Sequence, residues 1–304
     1  LQKKISIDKV YLNTLYFFGL LIIALTLFIF YELITSSSLS IKTFSWSFLY
    51  KNQWNPIKDL YSALPFIIGT LSTSLLAVLI SSFLSIGSAL FLSEYIKGEL
   101  ASFLASMIDV LAAIPSVVYG LWGLFVLVPV VRNIQGFLFT HLSFIPIFNS
   151  KPYGFGIMSA MLILAIMILP YAISMIRSVL EMVPNDLKEA AYALGASKWE
   201  VMRSVVLPYV RSGIFAGIGL SLGRALGETM AVTMVIGNRN DIPRTLFDPA
   251  NTLASVIANE FNEASSSLQL SSLVYLALIL FIITFCVNVI MRMILKRYSI
   301  NKGR

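Results

Sequence analysis

Six apolar stretches constrain this chain more than any other feature, because each is long enough to cross a hydrocarbon layer roughly 30 Å thick at about 1.5 Å of helical rise per residue. They run over residues 12–34, 64–93, 103–131, 155–182, 209–237 and 270–295. Of the 304 residues, 58% are hydrophobic and only 12% are charged, more apolar surface than a soluble domain of this length buries. The expected fold class is therefore all-α, a polytopic membrane protein with six transmembrane helices. Several runs exceed the ~20 residues needed to span, so tilt or extension beyond the bilayer is expected. The first run follows Lys3, Lys4 and Lys9, as in a signal peptide. It is longer than a signal peptide's apolar core and lacks a small-residue cleavage site, so a retained helix is expected.

The formal charge of +7 does not point to nucleic acid, because the basic residues sit at the ends of apolar runs and do not cluster with aromatics. They report topology instead. With the N-terminus inside, inner segments hold Lys3, Lys4, Lys9, Lys97, Arg177, Lys188, Lys198, Arg203, Arg211 and the basic C-terminal residues from Arg292 onward. Outer segments hold Lys42, Lys51, Lys58, Arg132, Lys151, Arg239 and Arg244. The bias, roughly two to one, predicts a multi-pass protein of the cell membrane with both termini cytoplasmic, and places the 185–208 connection on that side. The single cysteine, Cys286, allows neither a disulfide framework nor a cysteine metal site.

The segment 35–63 is Ser-rich and carries Trp46, Trp54 and Pro56, which suits an outer interface. In the third run, Pro115 removes an N–H and should kink the helix, either as packing geometry or to expose carbonyls to a cavity. Ser116 and Tyr119 beside it are weak pathway candidates. Asp109 is expected near the cytoplasmic start of this helix, where an acid suits the dipole. The only histidine, His141, has no second ligand or acid nearby in sequence and suits a structural role; no metal site is expected.

The fifth run holds Gly213 and Gly217, then Gly219, Gly223 and Gly227, at the four-residue spacing that lets membrane helices approach closely. Packing does not account for its charges. Arg224 and Glu228, four apart, should lie one turn apart on a shared face and pair, with Arg224 about halfway along the span. The pair is either a packing ion pair or an anion site, in which a planar guanidinium with five donors binds an oxyanion while Glu228 holds it when empty. Thr229 is a weaker candidate beside them.

The connection before this run is unusually long. It reads as a short helix from Asp186 to Leu194, a stop at Gly195, and an amphipathic piece from Ser197 to Val206 before Pro208. Either it is a surface loop, or it docks a partner protein.

Glu189-Ala190-Ala191, three residues, Gly195, nine residues and Val205-Val206-Leu207-Pro208 resemble the EAA motif of ABC importer permeases, with Val205 where that pattern usually has Ile. Gly223-Arg224-Ala225-Leu226-Gly227-Glu228-Thr229 and Ile114-Pro115-Ser116-Val117-Val118-Tyr119-Gly120 are similar to the phosphate-specific members of that superfamily. The continuation through Asn238 resembles the PstC type more than the PstA type. The resemblance implies a type I ABC importer permease fold, with residues 1–63 as an N-terminal helix and outer loop, residues 64–298 as the permease domain and 185–208 as its coupling segment. It further implies a second, PstA-type permease, an ATPase dimer below and an extracytoplasmic phosphate-binding protein above. Arg224 and Glu228 would then serve phosphate translocation, and Glu189, Ala190, Ala191 and Gly195 the coupling to the ATPase. This chain would be a transport subunit without enzymatic activity. It has no G-x-x-x-x-G-K-[ST] loop, so ATP and Mg would be bound by the partner ATPase. An importer of sulfate or molybdate and an ion-coupled secondary transporter using the Arg224/Glu228 pair as a proton relay are the alternatives.

Overall fold

The computed structural model describes the backbone of residues 2–300 and the side-chain surroundings of residues 9–296. Among the described residues the regular structure is helical: α1 (Gln2–Ser36), α2 (Ser38–Phe44), α3 (Ser47–Tyr50), α4 (Leu64–Leu90), α5 (Glu99–Ala113), α6 (Ser116–Trp122), α7 (Val128–Leu142), α8 (Ile157–Leu180), α9 (Asn185–Ala193), α10 (Lys198–Val201), α11 (Leu207–Gly227), α12 (Met230–Val235), α13 (Leu253–Glu260) and α14 (Ser267–Ile300). Three π-helical turns, Phe91–Tyr95, Gly123–Leu127 and Met202–Val206, extend α4 or join α6 to α7 and α10 to α11. Among the described residues six helical stretches are long and apolar enough to cross a membrane: Lys9–Ser36, Leu64–Tyr95, Ser116–Leu142, Ile157–Leu180, Lys198–Gly227 and Ser267–Lys296.

Their number agrees with the sequence, but the third lies further along the chain than expected. Pro115 does not kink a continuous helix; it separates two. Ile114 and Pro115 are both extended (ψ 130° and 140°), Ile114 because the proline ring clashes with a helical residue before it. The apolar run beginning near residue 103 is therefore divided between α5, which packs beside α8, and the span that starts at Ser116. Asp109 consequently lies in the last third of α5, not near a helix start, and is exposed. Pro129 and Pro208, by contrast, sit inside continuous helical stretches. Each follows a π turn containing the residue four before it, Phe125 or Ser204, so the widened turn takes up the hydrogen bond that proline cannot make.

α8 is the central helix, with 67% of its apolar window buried, whereas the corresponding window of α1 is not buried at all. α4 lies along α8, and a stripe of small residues on it, Gly69, Thr73, Ala77, Ser81, Ser85 and Ala89, is buried in the bundle. In lipid, apolar burial alone drives little association, so this close backbone approach carries the packing. The α4 hydroxyls satisfy themselves on their own helix: Thr70 donates to the Phe66 carbonyl (2.8 Å) and Ser74 to that of Thr70 (2.6 Å).

The two ends of α4 mark two different ends of the bundle. At its start, Gly69 touches the Asn251 carbonyl so closely that a Cβ would overlap it, and the Thr70 hydroxyl accepts the Leu253 amide at 2.9 Å. Phe48, Tyr61, Phe66, Leu253, Leu273 and Leu276 close this end as one core. Segment 35–63 is folded onto it through short helices, not left as a loop: Ser271 accepts from the Ser40 amide, and the Trp54 indole N–H donates to Glu260 at 2.8 Å. Trp46 stays exposed, as a residue at an interface would. Nearby, Asp248 accepts from the Ser150 hydroxyl and from the Arg244 and Thr245 amides, and its own carbonyl accepts from the Ile157 amide at the start of α8. Burial pushes the Asp248 carboxyl up, but these hydrogen bonds outweigh it and hold the group below the ordinary aspartate value. At the other end of α4, a core of Leu92, Ile176, Leu180, Val201, Met202 and Val206 supports α9 and α10.

Candidate functional site

The fifth span is not one helix through residue 237. α11 ends at Gly227, Glu228 is extended (ψ 127°), and α12 begins at Met230. The Glu228 carboxylate turns forward and accepts the Ala231 amide at 3.3 Å, a helix-capping contact for α12. With the helix ended, the i, i+4 geometry is lost, and Arg224 and Glu228 form no ion pair. Arg224 therefore occupies the last turn of a broken helix, not the middle of an unbroken one. There the carbonyl end of the α11 dipole favours a cation.

Arg224 is half-buried, and its one described partner is the ring of Tyr171 on α8, 5.4 Å from the guanidinium carbon. Tyr119 lies within electrostatic reach of it. A guanidinium without a carboxylate among the described residues, inside an apolar bundle, keeps its donors and charge available to an anion.

The second broken helix lies alongside. α6 packs against α12 at Gly120, where a Cβ would meet Met234 and the Ala231 backbone. Tyr119 reaches back across the 114–115 break to donate to the Leu111 carbonyl at 2.8 Å, so it steadies the break. Ser116 is the half-buried first residue of α6. The Thr229 hydroxyl donates to the Gly227 carbonyl at 3.2 Å. The structure thus gathers Tyr119, Arg224, Glu228 and Thr229 around two helix breaks, and adds Tyr171, which sequence spacing did not single out.

The glycines of α11 divide in two. A Cβ on Gly213 would overlap Val179, one on Gly217 would touch Ile176 and Met175, and one on Gly219 would press on Met291. At Gly223 and Gly227 a Cβ would meet nothing within 4 Å. The first three are packing positions; the last two, which flank Arg224 in sequence, have nothing packed against them among the described residues.

The connection from α8 to α11 is ordered as expected. α9 ends in a Schellman turn at Gly195 (φ +85°): the Gly195 amide donates to the Tyr192 carbonyl (2.9 Å) and the Ala196 amide to that of Ala191 (3.2 Å). Ser197 then starts α10 with a reciprocal cap to Glu200. Pro208 does not end this piece, because the π turn carries the helix through it. Glu189 and Ala190 face outward with Leu187 and Tyr192, while Lys188 and Ala191 face the bundle. Leu194 is 90% and Trp199 62% exposed.

Two other features carry no pathway chemistry. His141 is exposed, stacked on Phe137, with Nδ1 2.9 Å from the Phe137 carbonyl. At the end of the bundle where α4 starts, a cavity of about 600 Å³ is lined by Arg239, Arg244, Asp241 and Asp248, among others. Its acids match its arginines, and Arg239 pairs with Asp241 at 2.9 Å, so it lacks the excess positive charge of an anion site.

A bundle of this kind, with two broken helices and a folded connection on one end, is the permease fold of ABC importers. It superposes on a chain from a structure described as inward facing conformations of the MetNI methionine ABC transporter with a TM-score of 0.60, at 15% identity, covering 81% of this chain and 99% of that one. The chain belongs to the family of binding-protein-dependent transport system inner membrane components, whose model matches residues 81–300. It is 46% identical over 303 residues to the phosphate transport system permease protein PstC of Pasteurella multocida, covering 98% of this chain and 94% of that protein. It is also 43% identical to PstC of Haemophilus influenzae, over 98% and 96% of the two chains. The probable phosphate transport system permease protein PstC of Methanocaldococcus jannaschii is 37% identical, over 82% and 80%.

Proposed function

We propose that this chain is the permease subunit of an ATP-driven importer and forms the membrane pathway for inorganic phosphate. The observation that carries it is Arg224, a half-buried guanidinium without a carboxylate partner among the described residues, beside the open glycine positions 223 and 227. The names of the relatives support phosphate over sulfate or molybdate. The anion would pass Arg224 with transient charge compensation, held weakly enough to leave. Glu228 has a different part from the one its spacing suggested: it caps α12 and thereby holds the break open next to Arg224.

Outward-facing Glu189, Ala190, Leu187 and Tyr192, with the exposed Leu194 and Trp199, would meet an ATPase that hydrolyses ATP with Mg. A second, PstA-type permease would complete the pathway, and a phosphate-binding protein would deliver the anion from outside the cell. Both termini and the 185–208 segment would be cytoplasmic, in line with the basic residues. Coupling then requires that ATP and the loaded binding protein each favour one of two bundle states.

Phosphate uptake by the assembled complex carrying Arg224→Gln tests this. Uptake should fall by about tenfold or more, as expected when a charge-assisted contact of roughly 1.5–3 kcal/mol is removed. Wild-type uptake with normal assembly would remove Arg224 from the pathway.

A further inference from the structure

The end of α4 is gripped by the connection in two places. Glu94, in the π turn Phe91–Tyr95, pairs with Lys188 of α9 at 2.5 Å, and the two side chains are only 11% and 17% exposed. The next residue, Tyr95, lies under the ammonium of Lys198, 4.0 Å from the ring centroid. Lys188 and Lys198 flank the Gly195 turn, so both helical pieces of the connection are attached to one turn of α4. A shielded ion pair is screened little by salt and depends on geometry, and a cation over a ring adds a second directional contact.

We infer that these contacts form a coupling clamp, which delivers motion of α9 and α10 directly to α4, in parallel with the covalent route through α11. The inference rests on the proposal that α9 meets an ATPase. Its reach comes from the packing: α4 runs the length of the bundle against α8, touches α11, and at its far end is hydrogen-bonded and close-packed to Asn251 and Leu253. A push at Glu94 and Tyr95 therefore moves a packed column that ends where α13 begins. A turn of π-helix is a suitable place to receive it, since such turns adjust more readily than an α-helix of full hydrogen bonding. Lys188 and Glu94 act here as positioning residues, not as contacts of the transported anion.

The complete reconstituted complex, with ATPase, partner permease and binding protein, supplies the test. Glu94→Gln should leave the ATPase co-purifying while phosphate transported per ATP hydrolysed falls by about tenfold, the size of a coupling energy within one contact network. The exchanged pair Glu94→Lys with Lys188→Glu should recover most of that ratio. Wild-type coupling in Glu94→Gln, or an equal loss in the exchanged pair with assembly intact, would overturn the clamp. Should Glu94→Gln fail to assemble, cysteines at 94 and 188 in a Cys286→Ser background, joined by a short bis-maleimide, give an independent reading. The clamp predicts that the unlinked double-cysteine chain is uncoupled as Glu94→Gln is and that cross-linking restores most of the phosphate transported per ATP; wild-type coupling before cross-linking, or arrest on cross-linking, would overturn it. A complex without bound ATPase or phosphate uptake even in the unaltered chain would instead remove the functional proposal beneath it.

Discussion

The two halves of α11 carry the same glycine spacing and do opposite things. Gly213, Gly217 and Gly219 are met by Val179, Ile176, Met175 and Met291, whereas a Cβ at Gly223 or Gly227 would meet nothing within 4 Å. Spacing of four tells that a smooth stripe exists on a helix; what lies against that stripe decides whether it is a joint or an opening.

Matched substitutions test this contrast. The largest effect on stability is expected for Gly213→Ala, where the new methyl overlaps Val179: about 1–3 kcal/mol lost, read as a lowered unfolding temperature in detergent. Next is Glu228→Ala, which removes the capping carboxylate from the Ala231 amide and should cost about 1 kcal/mol, while Glu228→Gln, which keeps the acceptor, should cost far less. Gly223→Ala should move the other way, gaining up to about 0.5–1 kcal/mol from the lost flexibility of glycine in a helix, while phosphate uptake declines if the open face is passage. Equal effects at 213 and 223 would erase the distinction between the halves.

The smallest effect concerns acid. The Asp248 carboxyl is held below its ordinary value, so its contribution is fully present above the unfolded aspartate value of 3.8 and is lost as pH falls through the lower folded one. Stability should be flat in this respect from neutral pH to about 5, and Asp248→Asn should flatten the remaining acid limb. An unchanged acid limb in that variant would place the loss elsewhere.

Apolar length was enough to count six spans, because lipid forces every spanning segment to satisfy its own backbone. It was not enough to place the third, since hydropathy runs straight through Ile114-Pro115 while the backbone cannot. The remedy was in the sequence: a residue before proline leaves the helical region, and two extended residues in succession end a helix. Arg224 was legible as an expensive charge. Its supposed pairing with Glu228 was not, because an i, i+4 argument holds only while the helix lasts. Gly195 was legible down to its turn, a local matter of φ and chain direction. Lys188 with Glu94, and Tyr171 under Arg224, come together across long stretches of sequence, and no periodicity reports such meetings.

The π turn at Met202–Val206 also sets the rotational phase of α11. A single π turn adds one residue to an α-helix, which rotates every later side chain by about 100° relative to an uninterrupted winding. The direction in which Arg224 points is thus fixed partly by a turn some twenty residues earlier, within the 185–208 connection. Deleting one residue there would keep every side chain of α11 and aim all of them somewhere else.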